Sequence, residues 1–253
     1  MIKCYEISIG KGRIILKRFL RSPALVLLLV LVVLRIITNP VVDAGEWIMD
    51  KLMILPGILI GLSFHEFAHG AVSYALGDPT PKLQGRLTIN PAAHMDPFGF
   101  ICLLLAGFGW GVPVEIDPRY YKYRRRDEML VAFAGVAMNL LIAVLFAFVM
   151  KGLFILQPSF MVGGMGQIVM EILIGIISVN IVLMVFNLLP VPPLDGFNIV
   201  TEIFNLRKYS WYYAVYDKGF LILLVLILFD VTDIVLVPCV NFVYEWLMNA
   251  IVF

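Results

Sequence analysis

The chain has 253 residues, of which 61% are hydrophobic and only 15% charged, far below the roughly 25% charged residues of soluble domains. That balance excludes a water-soluble globular protein and indicates an integral membrane protein. A formal net charge of +1 gives no reason to invoke nucleic acid, and the three cysteines, Cys4, Cys102 and Cys239, share no ligand spacing that would suggest a disulfide framework or a cysteine zinc site.

The first apolar window lies near 22–39, after Lys11, Arg13, Lys17, Arg18 and Arg21. This start resembles a signal peptide, but no small-residue cleavage pattern follows, so the segment is read as a retained anchor. The second window, near 52–77, is long enough to cross a bilayer core of about 30 Å, yet it carries "SFHEFAHGAVSYAL" at 63–76 and with it two of the three histidines of the chain.

Between the second and third windows the pattern changes. "KLQGRLTIN" (82–90) and "VPVEI" (112–116) alternate polar and apolar residues, the period of a strand. The apolar stretch "PFGFICLLLAGFGWG" between them is too short to span and too rich in Gly and Pro for a long helix. These features predict a small re-entrant β/loop element that enters the membrane from one side and returns to it; the alternative is an interfacial loop with some apolar cover. "RYYKYRRRDE" (119–128) follows as an interfacial basic anchor.

The third window, near 128–150, contains "AFAGVAMN", whose small residues suit close helix packing. Asn139 is either an interhelical hydrogen-bonding group or a group that faces substrate. The fourth window, near 168–189, ends in "NLLPVPPLDGF", where three prolines break the helix. Two further windows, near 219–237 and 239–253, are separated or bent at Pro238.

The expected fold is therefore an all-α integral membrane protein of about six transmembrane helices in a single domain over 1–253. Its catalytic core covers about 52–206, preceded by the anchor region 1–51 and followed by the C-terminal helices of 207–253. Sixteen of the nineteen Lys and Arg fall before the first window, in 77–128 or in 190–218. The spans put these three regions on one side, and the positive-inside rule makes that side, with the N-terminus, the cytosol.

HExxH on a helix puts two histidines at i and i+4, one turn apart on one face, where both imidazoles reach one zinc ion and the intervening glutamate handles the proton of an attacking water. Here these are His65, His69 and Glu66. A catalytic zinc takes a third protein ligand and keeps an open position, and the candidates are His94 and Asp96 of "NPAAHMDPFG" and Asp195. If Asp50 and Glu171 mark the outer helix ends, His65 and Asn187 both lie about 22 to 24 Å deep. The proline-broken turn thus meets the histidines at one level, which favours Asp195, with His94 as its rival. Asp195 would alternatively serve as the N-cap of the next helix.

"HEFAH", "NPAAHMDPFG", "AGVAMN" and "NLLPVPPLDG", in that order, resemble the site-2 protease family of intramembrane zinc metalloproteases, in particular its small prokaryotic members without an inserted soluble domain. The resemblance implies one Zn2+ per chain on His65, His69 and Asp195, with Glu66 as catalytic base and Asn187 stabilising the oxyanion or binding substrate. It places Asn90 and His94 in a membrane re-entrant segment near the site, so Asn90, His94 and Asn139 are expected around the substrate. It also implies single-pass transmembrane substrates, regulated intramembrane proteolysis and a prokaryotic cell membrane, with the site nearer the cytosol. One departure is Val136, where the family often has proline. The rival function is a transporter or channel that uses His65, Glu66 and His69 for metal or proton transfer.

Overall fold

The computed structural model describes residues 43–107 and 109–252, together with Val33; Cys4 and, Val33 apart, the expected anchor near 22–39 lie outside them. Helices of eight residues or more are numbered α1 to α8 in chain order. Among the described residues there is no strand, and the long helices carry the architecture.

Helix α1 (Ala44–Ala75) starts at Asp43, whose carboxylate accepts hydrogen bonds from the Gly45 and Glu46 amides at 2.7 and 3.2 Å, satisfying two of the donors that every helix start leaves open. At 32 residues it is about 48 Å long, longer than a bilayer core. Helices α3 (Arg124–Leu156) and α4 (Gly164–Leu188) pack against it and against each other.

Small residues set these contacts. A Cβ on Gly57 would lie 2.8 Å from the Gly175 carbonyl oxygen, and one on Gly175 would lie 3.0 Å from the Met53 oxygen. Helices α1 and α4 therefore cross backbone against backbone, as small-residue interfaces allow in membranes. On α3 the buried positions Val136, Ala143, Ala147 and Met150 recur at helical spacing and meet Leu173, Ile177, Ile181 and Met184 of α4. The opposite face of α3 leaves Phe133, Leu141, Leu145 and Phe148 exposed, the surface expected of a helix facing lipid.

The β part of the expected element does not form. Residues 82–90 begin inside a single helical turn, Thr80–Leu83, which is closed by Gly85 at φ 69°. The Asp78 carboxylate accepts from the Thr80 amide at 2.9 Å and so starts a turn where alternation alone suggested extension. Residues 112–116 are not helical, but only one isolated antiparallel bridge, Met95 to Gly111, stands beside them. Pro113 has no N–H to offer a ladder, and the Val112 amide is spent on the His94 carbonyl at 2.7 Å.

The apolar stretch between them makes α2 (Pro97–Ala106), capped by Asp96, which accepts from the Gly99 amide at 2.7 Å, and stopped by left-handed Gly107. Its ten residues cover about 15 Å, half a bilayer core. The returning chain presses on it: a Cβ on Gly99 would lie 2.2 Å from the Trp110 oxygen.

After α4, the proline-rich turn leads to α5 (Asp195–Phe204), then α6 (Ser210–Asp217), α7 (Gly219–Leu228) and α8 (Val231–Leu247), which closes in a π turn, Met248–Val252. The boundary expected at Pro238 falls instead at Asp230, where φ is +52°, and α8 runs through Pro238. Four helices among the described residues are long and apolar enough to cross a membrane, namely Gly45–Ala75, α3, α4 and Asp233–Val252. A fifth crossing is available if α6 and α7, bent by 61° between them, count as one.

Candidate metal centre

His65 and His69 project from one face of α1, with their Nε2 atoms 3.0 Å apart. Asp195 Oδ2 lies 3.2 Å from each of them. Three prolines interrupt the chain after α4, and α5 begins at Asp195 itself. The N-cap is Leu194, not Asp195, and Asp195 Oδ2 has no hydrogen-bond partner. Its alternative reading as an N-cap is thereby overturned. Gly196 is required for this turn, since a Cβ there would lie 2.2 Å from the Leu188 oxygen at the end of α4.

The far nitrogen of each imidazole has a partner on α3. His69 Nδ1 is 2.7 Å from the Val131 carbonyl oxygen, which only accepts, so Nδ1 carries the proton. His65 Nδ1 is 2.6 Å from Asn139 Oδ1. Both rings thus turn the Nε2 lone pair toward Asp195, the arrangement that metal-binding histidines adopt when their other nitrogen donates. Gly135 of α3 sits directly against them. A Cβ at that position would fall 2.5 Å from His69 Nε2 and 2.7 Å from His65 Nε2.

These atoms suit one metal ion. Bonds of about 2.0 to 2.1 Å at a tetrahedral angle put zinc ligands roughly 3.3 Å apart, close to the edges of 3.0, 3.2 and 3.2 Å found here. Without an ion, two lone pairs and a carboxylate oxygen would face one another in a buried place, and Asp195 Oδ2 has no hydrogen-bond partner. Among the described residues no other such group of His, Cys, Asp and Glu could hold a metal.

Glu66, one residue after the first histidine, accepts a hydrogen bond on Oε2 from the Val114 amide at 2.8 Å. The 112–116 segment therefore runs across the face of α1 beside the histidines. One carboxylate oxygen of Glu66 is anchored, and the other has no such anchor.

The other expected site residues make bonds of their own. His94 is fully buried and donates from Nε2 to the Thr88 carbonyl at 2.7 Å. Asp96 caps α2. Neither rival third ligand joins the histidines. Asn90 is exposed and caps a single turn, Pro91–His94, by accepting from the Ala92 amide at 3.1 Å. Asn187 donates to the Leu183 carbonyl of its own helix at 3.0 Å. Asn139 is fully buried behind His65.

Sequence reasoning missed three participants. Val114 carried no signal, because a main-chain donor is independent of residue type. Gly135 was visible only as a small packing residue. The third is an ion cluster: Arg207 bonds Glu128 of α3 and lies 2.9 Å from Glu202 of α5, while Arg125 donates to the Glu202 carbonyl at 3.1 Å. It ties the helix that begins with Asp195 to the helix that backs the histidines. Its signal was four charges scattered over about 80 residues, which no local pattern connects.

The family model of peptidase family M50 matches residues 53–228 of the chain. YwhC of Bacillus subtilis (strain 168), which carries a provisional zinc-metalloprotease name, is 36% identical over 195 residues, covering 73% of this chain and 84% of its own. Two proteins named Rip2, with the same provisional description, are 28% identical over 183 residues (Mycolicibacterium smegmatis; 70% of this chain, 67% of its own) and 29% identical over 197 residues (Mycobacterium tuberculosis H37Rv; 76% and 70%). No solved structure matches.

Proposed function

The chain belongs to peptidase family M50, and from that membership we propose that this membrane-embedded zinc metallopeptidase cuts peptide bonds in or beside the transmembrane segment of single-pass membrane proteins. The observation that carries the reading is the buried triangle of His65, His69 and Asp195 set against a glycine that leaves room for an ion.

In this reading His65, His69 and Asp195 hold the zinc. Bound there, it supplies Lewis acidity toward a water and toward the scissile carbonyl. Glu66 takes the proton of the attacking water on the oxygen that the Val114 amide leaves free, and passes it to the departing amine. Asn187, in the last turn of α4, exchanges its bond to Leu183 for the developing oxyanion. His94 and Asn90 shape the approach by holding the chain on either side of the Pro91–His94 turn.

A helical substrate must unwind first, because its carbonyls are occupied. Beside the site, a cavity of about 420 Å³ is walled by Leu62, Phe100, Leu103, Trp110 and Phe186. Leu62 precedes Glu66 by one helical turn, so an unwound apolar segment can rest there with its backbone near the base. Helix α2, half a bilayer long and exposing Phe98, Ile101 and Leu105, supports a re-entrant placement. With the basic regions cytosolic, the site lies nearer that side in a cell membrane of six crossings, and regulated intramembrane proteolysis is the process it would serve.

The test is cleavage of a panel of single-pass segments by the purified full-length protein in lipid nanodiscs, with zinc measured on the same samples. One zinc per chain and fragments absent from Glu66→Gln are expected. Equal cleavage by Glu66→Gln would refute the assignment. Glu66-dependent ion flux in liposomes without proteolysis would establish the transporter instead.

A further inference from the structure

Helix α4 carries an asparagine, Asn180, in an otherwise apolar stretch, and its side chain is fully buried. Its Nδ2 donates to the Ile176 carbonyl one turn earlier at 2.8 Å. Its Oδ1 accepts from Asn139 Nδ2 of α3 at 3.0 Å. Asn139 Nδ2 spends its second proton on the Gly61 carbonyl of α1 at 3.1 Å, and Asn139 Oδ1 is left to face His65 Nδ1 at 2.6 Å.

Each link has only one workable direction. Ile176 and Gly61 offer carbonyls, which only accept. Turning the Asn180 amide over would put its oxygen on the Ile176 oxygen and its NH2 on the NH2 of Asn139. Turning Asn139 over would set its oxygen against both the Gly61 oxygen and Asn180 Oδ1. Both side chains are 0% exposed, so no solvent relieves such a conflict, and a buried polar group left unpaired is costly. The chain of bonds therefore ends by requiring a donor at His65 Nδ1, which leaves the lone pair on Nε2.

We infer that Asn180 is a positioning residue for the metal centre: together with the Gly61 carbonyl it fixes the direction of the Asn139 amide, and so selects the His65 tautomer whose Nε2 is free to ligate. The inference rests on His65 being a zinc ligand. Three helices contribute one link each, and α4 is also the helix whose end delivers Asp195. Its packing against α1 and α3 is thus coupled to the protonation pattern of the site as well as to its shape. An asparagine serving only as interhelical glue would stabilise the bundle without this directional demand.

Replacing Asn180 by leucine removes the acceptor for one Asn139 proton while Gly61 keeps the other. The turned-over Asn139 amide then faces one opposing oxygen, that of Gly61, instead of two, so a larger share of it donates to His65 Nδ1 and moves the imidazole proton to Nε2, where metal must displace it. Outer-shell partners of metal ligands change affinity by about 10- to 100-fold, and at one remove about tenfold is expected. Asn180→Asp should restore binding, since a protonated carboxyl donates to Ile176 and accepts from Asn139 as the amide does.

The experiment titrates the full-length apo protein in detergent with Co2+, followed by its visible absorption, for wild type, Asn180→Leu and Asn180→Asp. 15N-histidine NMR of the apo forms reads the tautomer of His65, and thermal unfolding checks the fold. Expected are a roughly tenfold weaker Co2+ affinity and a mixed His65 tautomer for Asn180→Leu, with near-wild-type values for Asn180→Asp. If the leucine variant does not fold, Asn180→Ala removes the same acceptor with less bulk and must show the same loss. Wild-type affinity in the folded leucine or alanine variant, or equal loss in the leucine and aspartate variants, overturns the inference and leaves the metal site standing. Failure of the wild type to bind Co2+ overturns both.

Discussion

Substituting Gly135 by alanine should empty the metal site while leaving the helix bundle intact. The added methyl carbon would lie 2.5 Å from His69 Nε2, 2.6 Å from His65 Cε1 and 2.7 Å from His65 Nε2. Ordinary contact begins near 3.4 Å, so the imidazoles or α3 must give by about 0.9 Å, the difference of 3.4 and 2.5. Metal–ligand distances tolerate about 0.2 Å, and a shift several times larger separates ligands that now stand 3.0 to 3.2 Å apart. Overpacking costs about 1 to 3 kcal/mol, but alanine regains up to about 1 kcal/mol in helix propensity. The apo protein should therefore melt within a few degrees of wild type. Zinc per chain, measured by mass spectrometry after dialysis against a weak chelator, should fall from one to near zero, and cleavage should fall with it. Gly152 on the same helix has nothing within 4 Å of its hypothetical Cβ, so Gly152→Ala should keep full zinc content. A Gly135→Ala protein that retains one zinc and full activity would refute the reasoning.

Val114→Pro deletes the amide that holds Glu66. A hydrogen bond to a charged group is worth about 1.5 to 3 kcal/mol, so kcat should fall about tenfold or more at unchanged zinc content; an unaltered kcat would show that the contact has no part in catalysis. Removing Arg207 leaves Glu128 and Glu202 buried without their shared cation. Since the guanidinium is 30% exposed, the loss for Arg207→Ala should sit at the lower end for buried pairs, about 3 kcal/mol. Adding Glu202→Gln should recover part of it in thermal unfolding, and a second mutation that made matters worse would contradict the cluster. Asp78 is a third case: burial pushes its carboxyl up, but bonds from Thr80, the Asp117 amide and Ser73 outweigh this and hold it below its ordinary 3.8. A carboxyl lowered by folding contributes stability that is present above its unfolded value and lost as pH falls through the folded one. Unfolding midpoints from pH 6 down to 3 should therefore decline more steeply for wild type than for Asp78→Asn, and parallel curves would exclude this role.

The long spans and the metal-centre candidates were legible because their signals are local. Apolar length marks α1, α3 and α4, and the i, i+4 spacing puts His65 and His69 on one face whatever surrounds them. The misreadings have equally local causes. Residues 82–90 alternate like a strand, but a strand needs a neighbour, and Asp78 with Pro79 and Pro81 starts a turn first. Pro238 looked like a boundary, yet a helix in a membrane tolerates proline when its surroundings satisfy the freed carbonyl, and the break falls at Asp230 instead.

By itself, the amino-acid sequence determined the solvent this protein lives in, the helical class that solvent imposes, and the donor types available for chemistry, because composition, period and spacing act over a few residues. Helix depth along the sequence favoured Asp195 as the third ligand, and the tertiary structure brought it to the histidines, since Asp195, Asp96 and His94 all offer a ligand atom and differ in where folding leaves them. Only the tertiary structure decided the directions within the site. Gly135 makes room, Val114 holds Glu66, and Asn180 orients Asn139 because segments far apart in the chain are brought within bonding distance. Such contacts depend on pairs of residues and so leave no mark on either residue alone.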